Sequence, residues 1–339
     1  MDDKSNETIV VLPRNTIKRI ISDVKDLMKS PLEDEGIYYH HDEEDILKGY
    51  AVITGPKDSL YYGGSYMYTF SFPRDYPHSP PVAYYHTNDG ETRFHPNMYK
   101  SGKVCLSILN TWRGEPWSGC QTIRSVLLTI LSVFDDKPFL HEPGITEQHP
   151  HFQLYHDIIF YKNLSFSCII GKDKHKSERD TEEKFNGFPI YLFHEEINRV
   201  HSLVINDLVH LIVGKLDKAT LKLILKKEEE VKSNMSSVSS VLENENEKNE
   251  KNEQDIDSKS KTAEYDFNQH NTEVYLSAYR ISCCFNWYKL IIKYRDTFHI
   301  DINNLDIDKN SENKSELSEK ISDETSNQFL NTSKKSKGK

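Results

Sequence analysis

The segment Arg93–Trp112, "RFHPNMYKSGKVCLSILNTW", carries a cysteine directly after two turn signals. The tripeptide His-Pro-Asn at 95–97 favours a turn, because proline fixes one backbone dihedral and asparagine tolerates unusual ones. A second turn signal, Ser-Gly-Lys at 101–103, precedes Cys105. Functional side chains are concentrated in irregular segments that a regular scaffold presents. From these residues alone, Cys105 is either a reactive thiol or an inert core cysteine.

The regions on either side of this segment predict a mixed fold. Apolar residues near the start repeat at helical spacing, namely Ile17, Ile20, Ile21, Val24, Leu27 and Met28. Runs at 49–56, 61–73 and 80–87 are rich in β-branched or alternating aromatic residues, and turn residues separate them, as in an antiparallel meander. Helical spacing returns afterwards, at Ile123, Val126, Leu127, Ile130 and Leu131. This order predicts an α+β fold.

Composition suggests how the chain is divided. We predict a core domain over residues 10–170 and a helical extension over 171–227, where apolar residues again show helical spacing. Residues 228–264 contain no aromatic residue, proline or glycine, and they predict a disordered acidic and polar linker that cannot bury enough apolar surface to offset chain entropy. Residues 265–307 are predicted to be a helical segment that packs on the extension or the core, and 308–339 a disordered tail.

Overall charge and cysteine usage exclude several classes of protein. The 339 residues carry a net charge of −10, which argues against a nucleic-acid partner. Five cysteines form no C-x-x-C pair, so no zinc or thioredoxin-like site is indicated and a reducing compartment is expected. The N-terminus does not resemble a signal peptide, and the apolar stretch at 203–213 is too short and polar to span a bilayer. We expect a soluble, intracellular protein of the cytoplasm and/or nucleus, with no membrane partner.

Four motifs and a predicted helix occur in a fixed order around Cys105. Tyr-Pro-His-Ser-Pro-Pro lies at 76–81, His-Pro-Asn ends eight residues before the cysteine, Cys-Leu-Ser-Ile-Leu follows at 105–109, and Trp-Ser at 117–118 precedes a helix. Together they resemble the ubiquitin-conjugating enzyme family. The longer segment between the cysteine and Trp117, together with "HEPG" at 141–144, further resembles the large Z-type ubiquitin-conjugating enzymes.

This resemblance implies both a fold and an activity. The fold would be the UBC fold: an N-terminal helix, a four-stranded antiparallel meander, an active-site loop and C-terminal helices, here with an added helical C-terminal extension. The protein would accept ubiquitin, or a ubiquitin-like modifier, from the ubiquitin-activating enzyme and pass it to a lysine of a protein substrate or to a ubiquitin ligase. No cofactor or metal would be bound, and the activating enzyme would consume the ATP.

The resemblance also assigns the central site residues. Cys105 would be the nucleophile that carries the modifier as a thioester. Asn97 would either stabilise the oxyanion of the transfer step or brace the loop. His95, Pro96 and Trp117 would belong to the structural part of the motif.

His141 stands where many relatives have an acidic residue, with Glu142 beside it. It would either activate the acceptor lysine or be an ordinary exposed histidine of the loop. Asp135 and Asp136 are close in sequence and would supply negative potential in its place.

Two loops would form the surface that faces a ligase, with Tyr76, Pro77, His78, Ser118 and Gly119 as their residues. His78 replaces the aromatic or large residue that is common in relatives, and Gly119-Cys120 replaces Pro-Ala, so standard ligase partnering is open to doubt. Cys120 is expected to be a packed loop cysteine rather than a second reactive thiol. Two alternatives for the whole chain stay open: a catalytically inactive ubiquitin-binding variant or scaffold of the same fold, and a cysteine protease, which would need a histidine to activate Cys105.

Overall fold

A computed structural model of the chain describes residues 12–170, 184–227, 229–230, 233 and 266–302. These residues divide into two compact units. The first unit comprises the described residues up to Leu208 together with Thr272–Phe285, and the second comprises the described residues of Val209–Asn271 and those from Asn286 onward. Most of the predicted linker, 228–264, and all of the predicted tail, 308–339, lie outside the described residues.

The order of elements follows the predicted α+β pattern. The first part contains α1 (Arg14–Lys29), β1 (Ile37–His41), β2 (Lys48–Thr54), β3 (Ser65–Ser71), β4 (Val82–Tyr85), α2 (Ile123–Ser132) and α3 (Phe152–Lys162). Then come α4 (His194–Val213), a helix at residues 218–227 that we call α5, β5 (Thr272–Leu276), β6 (Ile281–Phe285) and α6 (Trp287–Phe298). The predicted α+β fold with a four-stranded meander and further C-terminal helices is confirmed.

The four-stranded sheet is an antiparallel meander in the order β1-β2-β3-β4. The alternating aromatic residues of β3 and the position after it, Tyr66, Tyr68, Phe70 and Phe72, are all buried on one face, as a period of two requires. This face shares the main hydrophobic core with residues of α1 and α2, including Ile20, Leu27, Val126, Leu127 and Ile130. The apolar faces of α1 and α2 therefore pack against the aromatic face of β3.

The opposite face of the sheet is also covered. Tyr50, Val52 and Met67 point to this side and are buried. They form a second core with Phe188, Ile190, Phe193, Ile197 and Val200. Residues beyond 184 thus extend the hydrophobic core of the first unit, which explains why Met67, between two inward-facing tyrosines, is apolar and has no exposed surface.

Residues 272–285, which the sequence predicted to be helical, form an antiparallel hairpin of β5 and β6 instead. Val274, Leu276, Ile281 and Cys283 alternate with exposed residues, and the last three of these four are buried in the main core. The turn contains Arg280 in the left-handed region, with φ of 53°, and offers neither glycine nor proline as a signal. Helix α6 follows directly, so the predicted helix is present only from Trp287.

The second unit is helical in its described part. It contains the end of α4, α5 and α6, with buried apolar residues that include Ile212, Leu221, Ile224, Leu290 and Tyr294. The Asp217 backbone N–H donates to the Tyr288 hydroxyl at 3.3 Å. Across the described ranges, no helix combines the length and apolarity that a membrane crossing requires.

Candidate active site

Two reciprocal hydrogen bonds join the His-Pro-Asn turn to Cys105. The Cys105 N–H donates to the Asn97 carbonyl at 2.9 Å, and the Asn97 Nδ2 donates to the Cys105 carbonyl at 2.5 Å. The side-chain nitrogen of asparagine carries two hydrogens, and only one of them is directed at this carbonyl. Asn97 Oδ1 is buried and has no hydrogen-bond partner among the described residues. Asn97 therefore braces the loop directly beside the expected nucleophile and retains a second donor.

The backbone on both sides of Cys105 is held by one hydroxyl group. The Leu106 N–H donates to Thr111 Oγ1, and Thr111 Oγ1 donates to the Val104 carbonyl, each at 2.9 Å. Gly102 permits the preceding turn: its φ is 83°, and a Cβ there would lie 2.2 Å from the ring of Tyr84. Cys105 is a free thiol with 3% of its surface exposed. This arrangement fixes the backbone around Cys105 and leaves only a narrow approach to its sulfur.

His95 is a buried part of the turn. It has no exposed surface, and its Nδ1 accepts the Asn97 N–H at 3.0 Å. Burial lowers the pKa of His95 to about 3, and electrostatic repulsion from the neighbouring His141 adds to this effect. The ring is neutral at physiological pH and serves as an acceptor within the turn. This geometry supports the structural role expected of His95, and Pro96 beside it is buried as well.

His141 lies against His95, at the end of a short 3₁₀ helix over Pro138–His141. The two imidazole rings are 5.0 Å apart, and His141 Nε2 is 2.7 Å from Asp135 Oδ2. Burial alone would raise the pKa of Asp135, but the hydrogen bond and charge of His141 outweigh it and hold that pKa below its ordinary value. His141 is 30% and Asp135 41% exposed, so this histidine–carboxylate pair is open to solvent. The structure thus brings His141 to the turn that carries Asn97.

Trp117 fastens one predicted ligase-facing loop to the other. Its Nε1 donates to the Pro77 carbonyl at 2.7 Å, and its ring packs on Tyr76 with 5.8 Å between ring centroids. Helix α1 joins them, because Arg19 donates to the Gly119 carbonyl at 2.7 Å and Tyr76 donates to Asp23 at 2.5 Å.

The exposed members of this surface are His78, Ser118 and Gly119. Pro77 is half-buried, whereas Tyr76 is 1% exposed and is therefore a core residue beneath the loops, contrary to the ligase-facing position predicted for it.

Arg93 and Tyr279 are two residues at the site that the sequence did not single out. The Arg93 guanidinium lies between the rings of Tyr99 and Tyr279, 4.0 and 4.6 Å from their centroids, and donates to the Pro96 carbonyl. The Tyr279 hydroxyl donates to Glu142 Oε2 at 2.5 Å. Arg93 stands within the motif segment, but Tyr279 comes from the hairpin, so no local pattern could have paired them.

Of the four remaining cysteines, two are buried and two are exposed. Cys168 and Cys283 are buried, and burial raises the pKa of the Cys283 thiol to about 11. Cys120 is exposed, contrary to the packed position expected for it, and Cys284 is exposed as well. Within the described ranges, no group of three or more histidine, cysteine, aspartate or glutamate side chains could hold a metal ion.

Comparison with known proteins finds similarity over the region that contains this site. A family model described as "Ubiquitin-conjugating enzyme" matches residues 19–153. Ubiquitin-conjugating enzyme E2 Z of Danio rerio is 44% identical over 136 residues, which are 40% of this chain and 41% of that protein. E2 Z of Homo sapiens is 44% identical over 134 residues, or 39% of this chain and 37% of that protein. The probable ubiquitin-conjugating enzyme protein 17 of Caenorhabditis elegans is 39% identical over 140 residues, covering 39% of this chain and 19% of its own.

The family model covers the part of the chain that contains the site. The matched region spans about two fifths of the length of the two E2 Z proteins. Residues 19–153 include most of α1, the meander, Cys105, α2 and the loop of His141. Residues 19–153 therefore form a domain that matches the ubiquitin-conjugating enzyme family and is similar to the E2 Z proteins.

Proposed function

We propose that the protein is an active ubiquitin-conjugating enzyme that carries ubiquitin, or a ubiquitin-like modifier, as a thioester on Cys105. One observation supports this most strongly: the paired hydrogen bonds between Asn97 and Cys105 hold an amide donor beside a free thiol in a family domain. The alternative of an inactive binding variant is not favoured, because Cys105 and Asn97 are both present and are hydrogen-bonded to each other.

The proposed chemistry has two transfer steps. The Cys105 sulfur attacks the carbonyl carbon of the thioester held by the activating enzyme, and that enzyme's thiolate leaves as the new thioester forms. A lysine amine of the substrate then attacks the same carbonyl, and Cys105 leaves as thiolate. The second N–H of Asn97 would stabilise the oxyanion that develops in this step. His141, paired with Asp135, would either accept the proton that the amine must lose or orient the lysine for attack.

The partners follow from this cycle. The family works with ubiquitin, activating enzymes and ligases, and we propose that this chain uses one partner of each kind together with protein substrates. The surface formed by Pro77, His78, Ser118 and Gly119, which Tyr76 supports from below, is the proposed ligase contact. The activating enzyme supplies the ATP chemistry, so no bound cofactor is needed. Because Cys105 must remain a free thiol, we propose that the protein acts in the cytoplasm or nucleus.

Charging with a modifier tests the proposal directly. Incubation of the full chain with an activating enzyme, ATP and ubiquitin should give a covalent adduct that a thiol reductant cleaves, because a thioester exchanges with thiols and an amide does not. A panel of ubiquitin-like modifiers and activating enzymes should show which pair is used. If no pair in the panel yields an adduct, the inactive variant or scaffold becomes the better proposal.

The His141–Asp135 pair should affect lysine transfer rather than charging. We expect His141→Gln and Asp135→Asn each to slow discharge of the thioester to free lysine by about tenfold, which is less than the full effect of a general base because the pair is open to solvent. Single-turnover discharge of the purified adduct measures this. Glu147→Gln is the matched control, because it removes an exposed carboxylate that pairs with Lys137 on the same loop. If all three variants discharge like the wild type, His141 is an ordinary loop histidine.

A further inference from the structure

The β5–β6 hairpin reaches the active-site loops through Tyr279 at its turn. The Tyr279 ring packs edge-on against Phe139 and Tyr155, with centroids 5.8 and 5.6 Å away. An isolated hairpin is at best marginally stable, but this one buries Leu276 and Ile281 completely in the main core. The position of Tyr279 is therefore fixed by core packing and does not depend on its hydroxyl.

The ring of Tyr279 supports the His-Pro-Asn turn through Arg93. The guanidinium is held between two aromatic faces, those of Tyr99 and Tyr279, and is 15% exposed. Contacts between a guanidinium and aromatic rings are stronger when they are shielded from water. From this position Arg93 donates to the carbonyl of Pro96, the residue that directly precedes Asn97.

The hydroxyl of Tyr279 holds the second loop. It donates at 2.5 Å to Glu142 Oε2, and the same oxygen lies 3.5 Å from the Arg93 guanidinium. Glu142 directly follows His141 and is 30% exposed. A hydrogen bond to a carboxylate is stronger than one between neutral groups. Tyr279 thus contacts Glu142, which adjoins His141, and it contacts Arg93, whose guanidinium in turn donates to the residue before Asn97.

We propose that Tyr279 is a positioning residue for lysine transfer. By contacting both Arg93 and Glu142, it fixes the His-Pro-Asn turn and the loop of His141 relative to each other beside Cys105. The proposal rests on the proposed function, because it concerns the rate of discharge from Cys105. Tyr279 does not touch the reacting atoms; it acts through Arg93 and Glu142. The C-terminal part of the chain is thereby part of the catalytic unit through the hairpin, beyond residues 19–153 that match the family model.

The test is Tyr279→Phe, which keeps the ring and its packing but removes the hydrogen bond to Glu142. We expect the first-order rate constant of discharge to free lysine to fall about tenfold, comparable to the loss of one charged hydrogen bond. The rate of charging and the fraction of protein charged should be unchanged. The double variant with Glu142→Ala should be no slower than Glu142→Ala alone, because both changes remove the same bond.

Tyr275→Phe provides the control, since this tyrosine lies on the same hairpin and is 58% exposed. A purely structural role would lower the melting temperature and the charged fraction and leave the rate constant of the charged protein intact. The proposal is wrong if Tyr279→Phe discharges as fast as Tyr275→Phe, or if only the charged fraction falls. If the wild type itself does not charge, the proposed function fails first, and the two failures are thus distinguished.

Discussion

Cys105→Ala is expected to abolish the adduct with ubiquitin, because no other group at the site can form the thioester. Cys105→Ser should instead form an oxygen ester that resists thiol reductant, since an alkoxide is a much poorer leaving group than a thiolate. The measurement is gel electrophoresis of the charging reaction with and without reductant. These outcomes identify both the residue and the bond.

Cys284→Ser provides the matched control, because it removes an exposed free thiol of the same chain. It should charge like the wild type. A reductant-sensitive adduct that persists in Cys105→Ala would contradict the site assignment. Disappearance of that adduct in the double variant Cys105→Ala with Cys120→Ala would then identify Cys120, the other exposed cysteine, as the acceptor.

Local sequence patterns predicted the part of the fold that carries Cys105. Period two in β3 and helical spacing in α1 and α2 depend only on which neighbours share a face, so a short window contains the whole signal. The interval between Asn97 and Cys105 acquired its meaning only from the family resemblance, and it corresponds to a pair of hydrogen bonds across a turn. These features are local in sequence as well as in space.

The features that sequence reasoning missed depend on distant partners. The run from Thr272 to Phe285 is apolar on alternate residues, but its turn lacks glycine and proline, so it could not be told from a helical stripe. Burial of the second face of the sheet could not be predicted from the strands alone, because residues beyond 184 cover that face. The contact of Tyr279 with Arg93 and Glu142 has no local signal, because packing of the hairpin on the core creates it.

Asn97→Ala should separate the two roles that remain for this side chain. If its second N–H stabilises the oxyanion, the variant should charge, but its discharge to free lysine should be about 100-fold slower, the usual loss for one oxyanion donor. Loss of the bond to the Cys105 carbonyl should also lower the free energy of unfolding by about 1 kcal/mol. Asn97→Asp should discharge at least as slowly, because a carboxylate of the same size cannot donate and would repel the developing negative charge.

Asn88→Ala is the control that isolates the bracing contribution. Asn88 also uses its side-chain amide nitrogen to donate to a distant backbone carbonyl, that of Lys100, and its Oδ1 accepts the Gly90 N–H at 2.8 Å. Its removal should lower stability to a similar degree while discharge stays within about twofold of the wild type. An Asn97→Ala variant that behaves in the same way would show that Asn97 only braces the loop. A rate that falls far more than stability explains would show that the donor acts in the transition state, because loss of folded protein reduces the charged fraction rather than the rate constant.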